Sequence, residues 1–470
     1  MSIRNNYLYS TAYQILLIII PFITVPYLSR VIGPSGIGIY AYSYSIATYF
    51  VLFAKLGLTN YGVRSIAVIK DDSSELNKKF SAIYYSQVIT SLLLVLAYFM
   101  YLSLSATQDY RTSMILSIYV ISVIFDIDWV YFGLENIKSL MLRNVIIKLL
   151  MTAAIFIFIK HKDDLWLYAL ITSVGTLLSY LVLWVNSRSC VRLIKVDKEE
   201  IFRHFKPSLK LFIPILAMSI YRTMDKIMLG QLSSMEQVGY YENAEKVIYM
   251  LMGSISSLGK VTMPRISNLL NFGNREKIFI YIKKSMKFII MLTSALSFGI
   301  AAIANDFTLI FFGPDFLQSA PLLQYLSITI LIVGWSNVLR TQYLIPMMKD
   351  NIYIVSIIIG AILNIFVNLL LIREFGALGA VIGTIIAELV VAIIQTIYIN
   401  KNFDTYPMIK DNTKYLIWGF IMFLAVKFLG AVLEPTIIAL LIQIVSGGCI
   451  FLLFLIVFDK ESLKELINAK

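Results

Sequence analysis

The chain has 470 residues, 59% of them hydrophobic and only 14% charged, with a mean hydropathy of +0.80. About a quarter of a soluble chain is charged, so this one lacks the polar surface to cover a soluble body; a cytosolic enzyme, a disordered tail and a secreted disulfide scaffold are excluded. The net charge of +12 would suit nucleic acid, but the placement of the charges points to membrane topology instead.

A membrane-spanning helix takes about 20 mostly apolar residues. The sequence predicts fourteen, at 8–29, 37–58, 81–105, 112–134, 143–159, 165–187, 209–230, 240–263, 285–304, 319–345, 352–372, 376–399, 413–433 and 435–458. Runs this long and uniformly apolar read as helices, because a bilayer cannot hydrate free backbone groups and barrel strands would alternate over about ten residues. Residues 8–29 form a full span with no small-residue cleavage site behind them, unlike a signal peptide. The fold class is an all-α integral membrane protein.

Loop charges orient the spans. Twenty-seven Lys and Arg residues, from Arg4 through Arg64, Lys78, Arg143, Arg192, Arg203 and Lys349 to Lys470, fall on one side; Arg30, Arg111, Lys160, Lys162 and Arg373 fall on the other. The positive-inside rule makes the crowded side cytoplasmic and puts both termini there. The basic loops 188–208 and 265–284 read as amphipathic surface segments. No outward loop could house a catalytic domain. His161 and His204 read as loop residues, which leaves no buried histidine relay. Cys190 and Cys449 lie too far apart, in too different settings, for a disulfide, and no metal site is expected.

Residues 37–42 (Ile-Gly-Ile-Tyr-Ala-Tyr) and 238–243 (Val-Gly-Tyr-Tyr-Glu-Asn) each open an even-numbered span after an outward loop. Each follows a span that contains proline: Pro21 and Pro26 in the first, Pro214 in the seventh. This suggests two parallel six-helix copies, a transporter plan, with the prolines as hinges. The expected organisation is a bundle at 1–187, a basic linker at 188–208, a second bundle at 209–400 and two further spans within 401–470. Gly379 and Gly383 read as a small-residue helix-packing face.

Eight basic residues fall inside spans: Lys55, Lys148, Arg222, Lys226, Lys246, Lys260, Arg340 and Lys427. Such groups are expensive in a bilayer and normally face a cavity or a partner. Five lie in spans two, seven and eight, which would flank a cleft between the halves. On span seven, Arg222, Asp225 and Lys226 are spaced to share a face that is net positive and suited to a phosphate. The expected substrate-binding residues are Arg222, Lys226, Lys55, Lys260, Lys246 and Arg340, although Glu242 and Lys246 are also spaced to pair with each other. Asp225, Glu242, Glu245, Asp126, Asp128 and Glu388 are the candidates for coupling to an ion gradient.

Three stretches carry a family resemblance. They are Pro26-Tyr-Leu-Ser-Arg-Val-Ile-Gly-Pro-Ser-Gly-Ile-Gly-Ile-Tyr40; Leu56-Gly-Leu-Thr-Asn-Tyr-Gly-Val-Arg64 with Asp126-Ile-Asp-Trp-Val-Tyr-Phe-Gly-Leu-Glu135; and Asp225-Lys-Ile-Met-Leu-Gly230 with Val238-Gly-Tyr-Tyr-Glu-Asn-Ala244. With these, the chain resembles the Wzx-type oligosaccharide repeat-unit flippases of the polysaccharide transporter family. Phe132 stands where relatives often carry a polar residue. The resemblance implies a bacterial cell-membrane protein that flips an undecaprenyl-diphosphate-linked oligosaccharide by alternating access. It further implies a cavity lined by spans one, two, seven and eight, an H+ or Na+ gradient in place of any bound cofactor, and polymerase and chain-length machinery as partners. A related exporter of drugs or teichoic-acid precursors is the alternative; a membrane glycosyltransferase, polymerase or ligase would need an external catalytic loop.

Overall fold

A computed structural model describes residues 3–105, 109–187, 190–271, 275–401 and 403–460, with side chains from residue 19 onward apart from 221 and 254–276. Among the described residues every regular element is a helix. Ile3–Lys55 is one helical stretch broken at Gly33, whose φ of 77° suits glycine alone; Pro34 restarts the helix, and the two arms are spans one and two. Spans three, five, six, seven, eight and nine are Ser73–Leu104, Ile137–Phe158, Leu165–Ser187, Phe205–Leu232, Met235–Asn271 and Arg275–Phe311. Span ten runs through Ser319–Leu326 and Ile328–Leu339 into a π-helical turn, Arg340–Leu344. Spans eleven to fourteen are Asp350–Phe375, Ala377–Asn400, Tyr406–Val432 and Ile437–Phe458.

Among the described residues, eleven stretches are long and apolar enough to cross a bilayer. The first of these, Ile19–Ile69, holds parts of two crossings. Large apolar side chains such as Leu150, Phe428 and Ile438 stay exposed on the outer helix faces, the pattern expected where the solvent is lipid.

The structure corrects several expectations. Span five begins at Ile137, so Arg143 is a helical residue and only 5% exposed, not a loop charge. Hydropathy marks where charge begins, which is not where the helix begins. Residues counted as loop after span two form the helix Leu58–Ile69. Most of 265–284 belongs to the long helices of spans eight and nine. His204 is 2% exposed at the end of the short helix Lys198–Arg203, not a solvated loop residue.

The chain divides into two compact units, Met1–Gly230 and Gln231–Lys470. Span seven is therefore counted with the first unit, whereas the sequence reading starts its second bundle at residue 209. Its first turns pack beneath span two: the rings of Phe53 and Phe212 are 5.2 Å apart. Gly57, at φ 74°, lies so close to the Ser208 carbonyl that a Cβ would sit 2.5 Å from it.

The core of the first unit gathers Leu58, Ile66, Phe80, Ile83, Trp129 and Tyr131. Trp129 is fully buried, and a Cβ on Gly62 would stand 2.5 Å from its ring. The second and longest resemblance stretch is thus a packing corner in which the helix Leu58–Ile69 lies flat on the end of span four. In the second unit, Gly379 lets spans eleven and twelve approach until a Cβ would meet the Leu371 carbonyl carbon at 2.6 Å, as the small-residue spacing suggested. Asp459 accepts from Lys414 and Tyr415, each at 2.6 Å, and stands 3.6 Å from Lys287, which fastens spans thirteen and fourteen to span nine.

Candidate functional site

Span four is not the continuous helix that its apolar sequence predicts. It runs as Tyr110–Ile115, Ser117–Ser122 and a 3-10 turn at Val123–Phe125, becomes extended at Asp126, and resumes at Asp128–Gly133. The freed carbonyls find side-chain donors. Gln87 of span three donates its amide to Val123 O and Asp126 O, both at 2.8 Å, and accepts from the Trp129 indole at 3.1 Å. Trp184 of span six donates to Phe125 O at 2.9 Å. An interrupted membrane helix is tolerated only where protein re-satisfies its backbone in this way.

The break holds two carboxylates. One Asp126 oxygen accepts the Asp128 N–H at 2.9 Å, and the other pairs with Lys55 Nζ of span two at 2.6 Å. Asp128 faces Arg143 of span five at 2.8 and 3.4 Å. Arg143 also donates to Ser179 O at 2.9 Å and to Asn144. Two cations thus meet two carboxylates across three helices. The group is formally neutral and nearly all its polar atoms are used, the condition under which charge is tolerated in a low-dielectric setting.

A row of tyrosines leads away from Lys55. Its ammonium lies 3.4 Å from the Tyr180 hydroxyl and 5.6 Å from that ring's centre. Tyr119 interacts electrostatically with both Lys55 and Tyr180 and shares a hydroxyl hydrogen bond with Tyr44. The rings of Tyr119 and Tyr44 stack at 5.0 Å, those of Tyr44 and Tyr40 at 5.5 Å, and Tyr40 meets Tyr168 at 4.3 Å. The Tyr40 hydroxyl donates to Thr172 at 3.0 Å. Tyr44 is 36% exposed. A tyrosine offers a ring face for an apolar CH surface and a hydroxyl for a polar edge, which matches the two-sided character of a sugar ring.

Span seven contributes its charges unequally. Asp225 is buried at 1% exposure, Lys226 is half-buried within electrostatic range of Tyr44, and Arg222 is exposed. The three therefore do not present one uniform face. Asp225 acts on Tyr49, whose hydroxyl donates to Ser219 O at 3.3 Å.

Of the expected site residues, the first unit holds Lys55, Asp126, Asp128, Arg222, Asp225 and Lys226, and it brings the first three into one network. The others belong to the second unit. Glu242 and Lys246 pair one turn apart at 3.0 Å, the alternative their spacing allowed. Glu245 is 6% exposed and Glu388 half-buried. Arg340 is held by Asn337 Oδ1 at 2.7 Å and by the hydroxyl and ring of Tyr353. The side chain of Lys260 lies outside the described residues. Sequence reasoning missed Arg143 and the tyrosine row. A signal for the row was present: Tyr40, Tyr44 and Lys55 fall at helical spacing on one face of span two.

Residues 3–270 match the model of a family described as Polysaccharide biosynthesis protein. A protein of Escherichia coli (strain K12) named for O-antigen transport is 24% identical over 407 residues, 86% of this chain and 98% of its own length. A Shigella dysenteriae protein named likewise is 23% identical over 79% of this chain and 94% of its own. Among solved structures, the lipid II flippase MurJ in an inward closed conformation superimposes with a TM-score of 0.72, covering 94% of this chain and 99% of that one at 17% identity. An inward-facing MATE family multidrug resistance transporter gives 0.57, covering 87% and 98% at 14% identity. At these identities the structural likeness is one of fold.

Proposed function

Because the chain belongs to the family of polysaccharide biosynthesis proteins, a family of membrane transporters and not of enzymes, we propose that it flips an undecaprenyl-diphosphate-linked oligosaccharide. The movement runs from the cytoplasmic to the outer leaflet by alternating access, for assembly of a cell-surface polysaccharide. The basic end of the molecule is the cytoplasmic one, in the bacterial cell membrane. The tyrosine row of the first unit carries this reading. A saccharide cannot cross hydrocarbon with its hydroxyls unpaired, at several kcal/mol each, and ring faces interleaved with hydroxyls replace its hydration while the lipid tail stays in the bilayer. Lys226 and Arg222 attract the diphosphate, and Arg222 can grip it through two nitrogens. An H+ or Na+ gradient drives the cycle through a carboxylate such as Asp225.

The E. coli and Shigella relatives named for O-antigen transport support this substrate class. Mass spectrometry of lipids from a strain lacking the gene tests it. A lipid-diphosphate oligosaccharide should accumulate in the cytoplasmic leaflet and disappear on complementation. A null strain with unchanged lipid-linked sugars and normal surface polymer would refute it.

A further inference from the structure

A second polar feature of the first unit shares no residue with the charge network or the tyrosine row. It is a cavity of about 500 Å³ at the basic end, lined by Tyr61, Glu75, Lys78, Lys79, Glu200, Arg203, His204 and Pro207. Four elements build it: the helix Leu58–Ile69, the first turns of span three, the short helix Lys198–Arg203 with the residue that ends it, and the first turn of span seven.

Its polar groups are only loosely engaged. Lys79 stands 3.9 Å from Glu75 and Arg203 stands 4.0 Å from Glu200, both beyond hydrogen-bonding distance. Lys78 is exposed and has no partner among the described residues. His204 is the informative group. Its side chain is 3% exposed, and its Nδ1 is 2.8 Å from the Tyr61 hydroxyl. Its Nε2 is buried without a hydrogen-bond partner; the nearest carboxylate oxygen, on Glu200, is 3.9 Å away. Burial pushes the imidazole pKa down, so the ring is held neutral. If Tyr61 donates to Nδ1, the proton sits on Nε2, a buried donor without an acceptor. Such a group costs about 1–3 kcal/mol while it stays unmet.

Three cations with slack pairing and one orphaned imidazole donor form a site short of one acceptor-rich anion. The two carboxylates do not cancel them: Lys78, Lys79 and Arg203 outnumber Glu75 and Glu200. We propose that this cavity binds a phosphate group, with Arg203, Lys78 and Lys79 meeting its charge and His204 Nε2 donating to one of its oxygens. A bound phosphate would also favour the imidazolium form, so binding raises the His204 pKa and is accompanied by proton uptake at pH values between its free and its phosphate-bound pKa. A soluble phosphate compound and an anionic lipid headgroup both present this chemistry, and the two sources are separable by experiment.

The chain has only two histidines, which makes the test direct. His161→Gln leaves His204 as the one imidazole, and its 13Cε1 resonance can be followed in the detergent-solubilised full chain as inorganic pyrophosphate is added. A saturable shift is expected, with the apparent pKa of His204 rising on saturation. Lys78→Gln with Arg203→Gln, both exposed and remote from the packed core, should weaken binding by about 10-fold or more. The control pair Lys195→Gln with Lys198→Gln removes equal charge outside the cavity and should leave affinity within about 2-fold. No movement of the His204 signal, an equal movement of His161 in the unsubstituted chain, or equal weakening by the control pair would overturn the proposal. A second arm adds phosphatidylglycerol to the micelles. If it moves the same resonance and blocks pyrophosphate, the natural phosphate is a lipid headgroup; if pyrophosphate alone acts, it is soluble. Both of these results uphold the site.

Discussion

The two units handle buried charge in opposite ways. In the first, the pairs run between helices: Lys55 of span two to Asp126 of span four, and Asp128 of span four to Arg143 of span five. In the second, Glu242 pairs with Lys246 one turn along the same helix, and Arg340 is held by two neutral groups, Asn337 of its own span and Tyr353 of span eleven. Where second-unit pairs do cross, as Lys283 to Asp411 and Lys414 to Asp459, they stand at helix ends. An intrahelical pair survives any displacement of its helix, whereas an interhelical pair fixes one helix against another. The first unit therefore uses charge to hold a broken helix in register beside its tyrosine row. The second neutralises Glu242 and Lys246 on one helix and keeps its interhelical ion pairs near helix ends, where Asp459 ties spans thirteen and fourteen to span nine.

Asp126 should show the contrast most strongly. Asp126→Ala removes the acceptor for both Lys55 and the Asp128 N–H, and breaking a buried pair costs about 3–5 kcal/mol. Thermal unfolding in detergent should show a loss of that order. Lys55→Met combined with Asp126→Leu should recover most of it, since replacing both partners leaves no uncompensated charge. A double variant as unstable as the single one would mean that the pair does not anchor the break. Gly62→Val comes next. Its side chain would be driven into the Trp129 ring, and overpacking of that kind costs about 1–3 kcal/mol, again read by thermal unfolding; an unchanged midpoint would show that the corner yields.

Tyr44→Ala should leave the fold intact and lower surface polymer by about 3-fold to 10-fold, the worth of one aromatic stacking contact, while Tyr44→Phe keeps most of the output. Equal loss in both variants would shift the weight from the ring face to the hydroxyl. Arg340→Gln should have the smallest effect, within about 1 kcal/mol of stability, because its partners, Asn337 of its own span and Tyr353 of span eleven, are both neutral. A larger loss would break the distinction between the units.

The spans were legible because about 20 apolar residues in a row match the thickness of a bilayer core and exceed what a buried soluble helix needs. The spacing of Gly379 and Gly383 was legible because small residues four apart mark a close helix contact. The break in span four was hidden. Residues 110–133 read as ordinary apolar helix, and the groups that satisfy the break, Gln87 and Trp184, lie on other spans. Arg143 was misread because a charge near the edge of an apolar run looks like a loop residue until its partner, Asp128, is brought beside it by folding. Lys55 reads from the sequence as a substrate-binding cation, and only the fold supplies its partner Asp126. Pairwise electrostatics across helices is what a single sequence conceals, and here that includes most of the candidate site.

The central claim is that the polar band of the first unit carries a lipid-linked saccharide across the bilayer. Its most direct test is a flipping assay in proteoliposomes with a fluorescent undecaprenyl-diphosphate oligosaccharide, comparing the unsubstituted protein with Tyr44→Ala and Arg222→Ala. The unsubstituted protein should move the lipid between leaflets, slower when the ion gradient is dissipated, and both variants should slow it further while reconstituting in equal amount. Flipping by both variants at the unsubstituted rate would contradict the claim.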